Sequence, residues 1–106
     1  MKAVIFDMDG VISDTESIYC EVAKEYLAKW NIPLTEKQIA LNYAGTSWSF
    51  MIRDLSEKHH IDFGDVDALV NEMINISHNR IKADTRPIPG ALKLIEGLHA
   101  QGIKLA

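Results

Sequence analysis

The feature that most constrains this chain is a short apolar run that ends on two acidic residues. Residues 2–6, KAVIF, lead directly into Asp7 and Asp9, and Gly10 follows. A continuous apolar run with β-branched residues is typical of a strand that is buried on both faces of a parallel sheet. Charges that follow such a strand lie at the edge where α/β proteins bind ligands. The pattern therefore predicts an α/β fold with a carboxylate pair at that edge.

Helical patterns fill most of the remaining chain. Apolar residues that recur at spacings of three and four predict helices over residues 15–30, 36–43, 47–58, 66–83 and 91–101. Thr35 and Gln38 form a capping-box pattern, and Asp65 can cap the longest helix. Either Asp14 or Thr15 is expected to cap the first helix.

The order of these elements is that of a strand–helix–strand unit interrupted by a helical insertion. The segment IKLA at 103–106 is predicted to be a second strand, and the crossover helix 91–101 makes it parallel to the first. The other helices precede this crossover. We therefore predict a partial α/β core formed by residues 1–14 and 85–106, with a helical cap formed by residues 15–84.

Composition and charge narrow the expected environment. The chain has 106 residues, of which 47% are hydrophobic and 25% charged, with a net charge of −4. This composition is ordinary for a globular domain and argues against nucleic acid or an anionic membrane as the main partner. Its one cysteine, Cys20, allows no internal disulfide. Because the sequence has neither a membrane-spanning run nor a secretory signal pattern, we expect a cytoplasmic protein.

Two carboxylates as close as Asp7 and Asp9 repel one another, and a divalent cation would relieve that repulsion. Mg²⁺ is expected, because it commonly binds one or two carboxylates together with substrate phosphate. One carboxylate can then attack phosphorus while the other exchanges protons with the leaving oxygen and with water. A solvated acidic loop and a response-regulator pocket are alternatives. An EF-hand loop is excluded, since Ile12 stands where glycine is needed.

The stretch FDMDGVISDTE, residues 6–16, resembles the first motif of the haloacid dehalogenase-like hydrolases. The match includes the strand, both aspartates, the glycine and the SDT sequence that leads into a helix. Residues 86–106, RPIPGALKLIEGLHAQGIKLA, resemble the return from cap to core in one subgroup. That subgroup contains β-phosphoglucomutases and small sugar-phosphate phosphatases. The resemblance spans the chain and implies a Rossmann-like parallel-sheet core with an inserted α-helical cap.

The resemblance also implies roles for individual residues near the first strand. Asp7 would be the nucleophile and a Mg²⁺ ligand. Asp9 would be the general acid and base, and its backbone carbonyl would also bind Mg²⁺. The N–H groups of Met8 and Asp9 would hold phosphoryl oxygens. Glu16, next to the cap hinge, is a candidate for contact with a substrate hydroxyl, although its place in the first helical turn is also explained by the helix dipole.

A cap loop carries the remaining candidate substrate-binding residues, which are Gly45, Thr46, Ser47 and Trp48. Family mutases have an arginine for a second phosphate where this chain has Trp48, and a histidine where residues 16–23 contain none. These departures favour a phosphatase that acts on a small phosphorylated metabolite over the alternative, a β-phosphoglucomutase-type mutase. Trp48 can stack on a sugar ring or pack between cap helices.

The family's later motifs would follow Ala106. They comprise a Ser or Thr, a lysine and a further acidic pair that completes the Mg²⁺ site. Without them, we expect residues 1–106 alone to have no useful phosphatase activity. The core segments together fall below about 40 residues, so they are expected to favour self-association. A non-catalytic fragment that acts as a binding or dimerisation module is therefore the second functional hypothesis.

Overall fold

The computed structural model describes residues 2–106 as five helices and two short strands. The strands are β1 (Ala3–Val4) and β2 (Lys104–Leu105). The helices are α1 (Thr15–Ala28), α2 (Glu36–Tyr43), α3 (Trp48–His59), α4 (Val66–Asp84) and α5 (Ala91–Ala100). Every predicted helix is present, with ends that differ from the prediction by at most two residues. Within the range 2–106, no helix has both the length and the apolar character needed to span a bilayer.

The two strands pair in parallel, as the strand–helix–strand pattern predicts. Ala3 lies opposite Lys104, and the next residues of each strand are also paired. Pairing continues beyond the short strands, because the Phe6 N–H donates to the carbonyl of Ala106 at 2.8 Å. The start of the acidic loop is thereby fixed against the end of β2.

The prediction that the first strand is buried on both faces is wrong. Ile5 is 85% exposed, and Met8 beyond it is 56% exposed. The helix that packs on β2 is α5, and a parallel strand is buried only where helices cover both of its faces. The described part of the sheet therefore keeps apolar surface in contact with solvent.

The hydrophobic core lies among the first four helices. Helix α1 packs against α2 and α4, and α3 packs against α4. The largest fully buried apolar side chains there are Leu27, Ile32, Met51, Ile52, Leu55, Met73 and Val22. The side chains of α5, in contrast, are all exposed or half-buried. Burial is thus concentrated within residues 15–77, inside the segment predicted to be the cap.

The helix starts follow the capping signals at two of three predicted positions. Thr35 and Gln38 form the reciprocal capping box, and the Asp65 side chain accepts an N–H in the first turn of α4 at 3.1 Å. At α1, Asp14 occupies the cap position, but its carboxylate accepts a hydrogen bond from the Ser17 hydroxyl at 2.7 Å and makes no side-chain cap bond. The side-chain cap predicted for α1 is therefore wrong at Asp14.

A buried tyrosine joins α1 to α4. The Tyr26 hydroxyl donates to Glu72 at 2.8 Å, and the residue is 8% exposed. Burial, and after it the Glu72 carboxylate, raise the pKa of Tyr26 to about 12. Because the folded state disfavours the ionised phenol, this stabilisation is fully present below pH 10 and is lost as the pH rises from 10 to about 12.

We expect the free energy of unfolding to fall more steeply between pH 10 and about 12 in the wild type than in Tyr26→Phe. The extra fall should be about 2 kcal/mol, since one pKa unit corresponds to about 1.4 kcal/mol. Urea denaturation at a series of pH values measures it. Equal pH slopes in the two proteins would mean that Tyr26 titrates alike in the folded and unfolded chains.

Candidate active site

The loop after β1 is a tight turn that presents both aspartates to solvent. The Met8 carbonyl accepts the N–H groups of residues 11–13 at 3.0 to 3.3 Å. Gly10 has a φ of +74°, a left-handed conformation that glycine adopts without strain. Asp7 and Asp9 flank the start of this turn and are both exposed. The carboxylate pair is therefore open to a ligand.

A neighbouring donor orients each carboxylate. Asp7 Oδ1 accepts the Met8 N–H at 2.8 Å, and Asp9 Oδ1 accepts the Thr15 hydroxyl at 2.8 Å. Thr15 is 5% exposed and is the first residue of α1, so the start of this helix positions Asp9. The Met8 N–H, which is predicted to bind a phosphoryl oxygen, is engaged with Asp7 in this conformation.

Asp7 and Asp9 are also the candidate Mg²⁺ ligands. The resemblance assigns the Asp7 carboxylate and the Asp9 backbone carbonyl to the ion, which commonly takes one or two carboxylates and fills its remaining positions with water and phosphate. Within residues 2–106, no group of three His, Cys, Asp or Glu side chains is arranged to hold a metal ion. The described residues would therefore supply only part of a magnesium coordination shell.

A cleft of about 660 Å³ opens between α1, the α2–α3 loop and α4. Glu16 and residues 45–48 line it, so five of the six predicted substrate-binding residues face one cavity. Met8 lies outside this lining, as do Asp7 and Asp9. The predicted site residues thus form two neighbouring groups, one in the acidic loop and one in the cleft.

Glu16 connects these two groups. It follows Thr15 in α1, and a Cβ placed on Gly10 would lie 3.2 Å from Glu16 Cγ. Tyr19, one helical turn further on, also lines the cleft. Burial, and then the negative charges of Asp9 and Glu16, raise the pKa of Tyr19. One end of the cleft is therefore within electrostatic reach of the acidic loop.

The cap loop uses its hydroxyl groups partly for its own structure. The Thr46 hydroxyl donates to the Tyr43 carbonyl at 2.7 Å, and Ser47 Oγ accepts an N–H in the first turn of α3 at 3.1 Å. Trp48 is half-buried and meets the Tyr19 ring edge-on, with 5.8 Å between ring centroids. Trp48 therefore packs against α1 while it also lines the cleft.

Four further residues belong to this region although the sequence patterns do not single them out as site residues. Thr15 contacts Asp9, and Tyr19, Cys20 and His78 line the cleft. Burial, followed by the charge of Glu16, raises the pKa of the Cys20 thiol, which disfavours the reactive thiolate form. His78 lies four residues after a cleft-lining isoleucine of α4, a helical spacing that indicates a shared face. The pairing of α4 with α1 is what brings that face to the site.

Comparison with known proteins identifies the family. The family model described as haloacid dehalogenase-like hydrolase matches residues 4–106. The protein (DL)-glycerol-3-phosphatase 1, mitochondrial, of Arabidopsis thaliana is 29% identical, in an alignment that covers 96% of this chain and 34% of that protein. The chain therefore spans about a third of the length of that relative.

Two solved structures show the same fold. A conserved haloacid dehalogenase-like protein of unknown function from Agrobacterium tumefaciens str. C58 superposes with a TM-score of 0.83 at 22% identity, covering 91% of this chain and 42% of that one. A haloacid dehalogenase family hydrolase from Deinococcus radiodurans R1, with bound phosphate and sodium, gives 0.75 at 25% identity, covering 100% and 45%. These matches confirm the predicted α/β fold class. Since the family model covers almost the whole sequence, the chain belongs to the haloacid dehalogenase-like hydrolases.

Proposed function

We propose that the protein carrying this chain is a Mg²⁺-dependent phosphatase that hydrolyses a small sugar phosphate or a similar phosphomonoester. One observation carries the proposal: Asp7 and Asp9 follow a parallel strand, and Thr15 holds Asp9 beside the start of the cleft. Membership of the hydrolase family supports it. So does the Arabidopsis relative, whose name describes a phosphatase for a small phosphomonoester.

The proposed reaction divides between the two aspartates. A carboxylate oxygen of Asp7 attacks phosphorus, and the bond between phosphorus and the alcohol oxygen breaks. That oxygen takes a proton from Asp9. Water then attacks the phosphorus of the aspartyl-phosphate and gives a proton to Asp9. The bond between phosphorus and the Asp7 oxygen breaks, so phosphate is released and the Asp7 carboxylate is restored. Asp7 and Asp9 would hold Mg²⁺, which supplies positive charge against the repulsion between carboxylate and phosphate.

Residues 1–106 alone are proposed to turn over no substrate at an enzymatic rate. Phosphoryl transfer depends almost wholly on positioning and on charge stabilisation. The lysine and the further acidic pair that the family resemblance implies are not among these residues. Each such group contributes about 3 kcal/mol to lowering a barrier, so the absence of several would reduce the rate by many orders of magnitude.

The test is phosphate release by the protein expressed from its complete gene, with glycerol 3-phosphate and sugar monophosphates as substrates. We expect release with Mg²⁺, a loss of at least about 100-fold with a chelator, and recovery when Mg²⁺ is added back. Residues 1–106, assayed in parallel, should stay at background. Unchanged release in the chelator would contradict the metal requirement. Phosphoryl transfer to a second sugar hydroxyl without free phosphate would favour a mutase, and no reaction at all would favour a binding module.

Thr15 provides a test of how Asp9 is positioned. Valine has nearly the shape of threonine but lacks the hydroxyl that donates to Asp9 Oδ1. We expect Thr15→Val to lower kcat about tenfold, because one hydrogen bond to a charged group is worth about 1.5 kcal/mol. KM should stay nearly unchanged, since the lost bond acts on the position of Asp9 and not on the binding of substrate.

Thr35→Val is the matched control for Thr15→Val. It removes the hydroxyl of the α2 capping box, which should cost about 1 kcal/mol of stability and leave both kcat and KM unchanged. If both variants lower stability alike and both leave kcat unchanged, Thr15 has only a structural role.

A further inference from the structure

The first part of the cap loop, residues 45–47, is fixed mainly by hydrogen bonds and not by packing. These residues are exposed, and apart from its chain neighbours no described residue comes within 4 Å of a Cβ placed on Gly45. The Tyr43 carbonyl accepts both the N–H and the hydroxyl of Thr46, at 3.0 and 2.7 Å. The position of Tyr43 therefore sets the position of this part of the loop.

The side chain of Tyr43 is anchored in α3. Tyr43 is the last residue of α2 and is 8% exposed, and its hydroxyl donates to Asp54 Oδ2 at 2.6 Å. Lys58 Nζ lies 2.8 Å from the same oxygen. Because α2 packs against α1 whereas α3 packs against α4, this hydrogen bond connects helices from two different packing pairs. The two helices that flank the cap loop are thereby held together.

Charge strengthens the bond between Tyr43 and Asp54. The hydrogen bond from Lys58, and after it the one from Tyr43, lower the pKa of Asp54. Burial, and after it the bond to Asp54, raise the pKa of Tyr43. At neutral pH a protonated phenol therefore donates to an ionised carboxylate, and such charge-assisted bonds are about twice as strong as neutral ones.

A second tyrosine makes the same kind of bond at a different place in the helical core. The Tyr26 hydroxyl donates to Glu72 at 2.8 Å, and Tyr26, like Tyr43, is 8% exposed. That bond joins α1 to α4, whereas the Tyr43 bond is made by the residue that holds Thr46. Comparison of the two tyrosines separates the general cost of losing a buried hydrogen bond from an effect on the cap loop.

We propose that Tyr43 and Asp54 are positioning residues, whose hydrogen bond holds the cap loop in the one conformation that binds substrate. Without this bond the loop samples other conformations, and an apparent dissociation constant rises as the fraction of protein in the competent conformation falls. Asp54 acts from outside the cleft, because it lines a separate groove with Arg53 and Glu57. The effect on substrate rests on the proposed phosphatase function, whereas the order of the loop does not.

Hydrogen exchange, measured by NMR on the protein expressed from its complete gene, tests the order of the loop. In Tyr43→Phe the Thr46 amide should exchange about tenfold faster than in the wild type, because a hydrogen bond to a charged group contributes about that factor. Tyr26→Phe is the matched control, since it also removes a buried hydrogen bond to a carboxylate. It should leave exchange at Thr46 unchanged. Equal acceleration in the two variants would mean that the Tyr43 bond does not order the loop.

The kinetics of phosphate release, with the best monophosphate substrate of the wild type, test the effect on binding. Tyr43→Phe and Asp54→Ala should each raise KM about tenfold and leave kcat within about twofold, since the loop binds substrate and the reaction occurs at Asp7 and Asp9. The double variant should raise KM no further, because both changes remove the same bond. Glu57→Ala, which removes an exposed carboxylate of α3, should leave KM unchanged. Additive increases in the double variant would show that Tyr43 and Asp54 act independently and would overturn the proposal.

The two measurements separate failure of this inference from failure of the proposed function. If the wild type releases phosphate and KM is the same in Tyr43→Phe and Tyr26→Phe, the positioning role is wrong and the phosphatase function stands. If the wild type releases no phosphate from any substrate, but Thr46 exchanges faster in Tyr43→Phe alone, the phosphatase function is wrong and the dependence of the loop on Tyr43 stands.

Discussion

Asp7→Asn should abolish phosphate release, with kcat reduced by about 10⁴-fold or more, because an amide cannot replace the attacking carboxylate. Asparagine keeps the shape of aspartate, and its Oδ1 can still accept the Met8 N–H that orients Asp7. Since Asp7 is exposed, the free energy of unfolding should change by less than about 0.5 kcal/mol. Loss of turnover would therefore report the chemistry of residue 7 and not a damaged fold.

Covalent attachment of phosphate to the protein tests the role of Asp7 more directly than a rate does. A substrate with radioactive phosphate, quenched in acid during turnover, should leave label on the wild type and none on Asp7→Asn. Asp67→Asn is the matched control, because it makes the same change at an exposed position in the first turn of α4. It should label and turn over like the wild type. Equal labelling of the wild type and Asp7→Asn would identify a different nucleophile.

The helices could be predicted closely because their signals are local. The capping box of Thr35 and Gln38 and the cap at Asp65 each act within one turn, so the sequence contains the complete interaction. Ile5 shows what local sequence signals do not predict. Its apolar run indicates a strand, but its burial depends on which elements cover the sheet, and a local pattern does not identify those elements.

The site could be predicted to the extent that it depends on one continuous motif. Asp7, Asp9 and Glu16 stand close together in sequence, and the resemblance to family motifs assigned their proposed roles. His78 could not be placed in this way, because it reaches the cleft only through the packing of α4 on α1. The Thr15–Asp9 hydrogen bond also needs three-dimensional information, since the left-handed Gly10 turns the chain back toward the start of α1.

The distribution of burial has a consequence for stability. Leu27 of α1 is fully buried in the core of the four helices, whereas Leu94 of α5 is 54% exposed. If residues 15–84 form a cap with its own core, as we propose, the stability of residues 1–106 should come almost wholly from this helical part. Replacing a leucine with alanine in α1 and in α5 tests this expectation directly.

Leu27→Ala should lower the free energy of unfolding of residues 1–106 by about 3 kcal/mol, because it removes buried methyl groups and leaves a cavity. Leu94→Ala, the matched control, should lower it by less than about 1 kcal/mol, since its side chain is already half in water. Urea denaturation followed by circular dichroism measures both values. Similar losses in the two variants would mean that α5 contributes to a cooperative core as much as α1 does, and the division into a stable helical cap and a weakly packed α/β part would then be wrong.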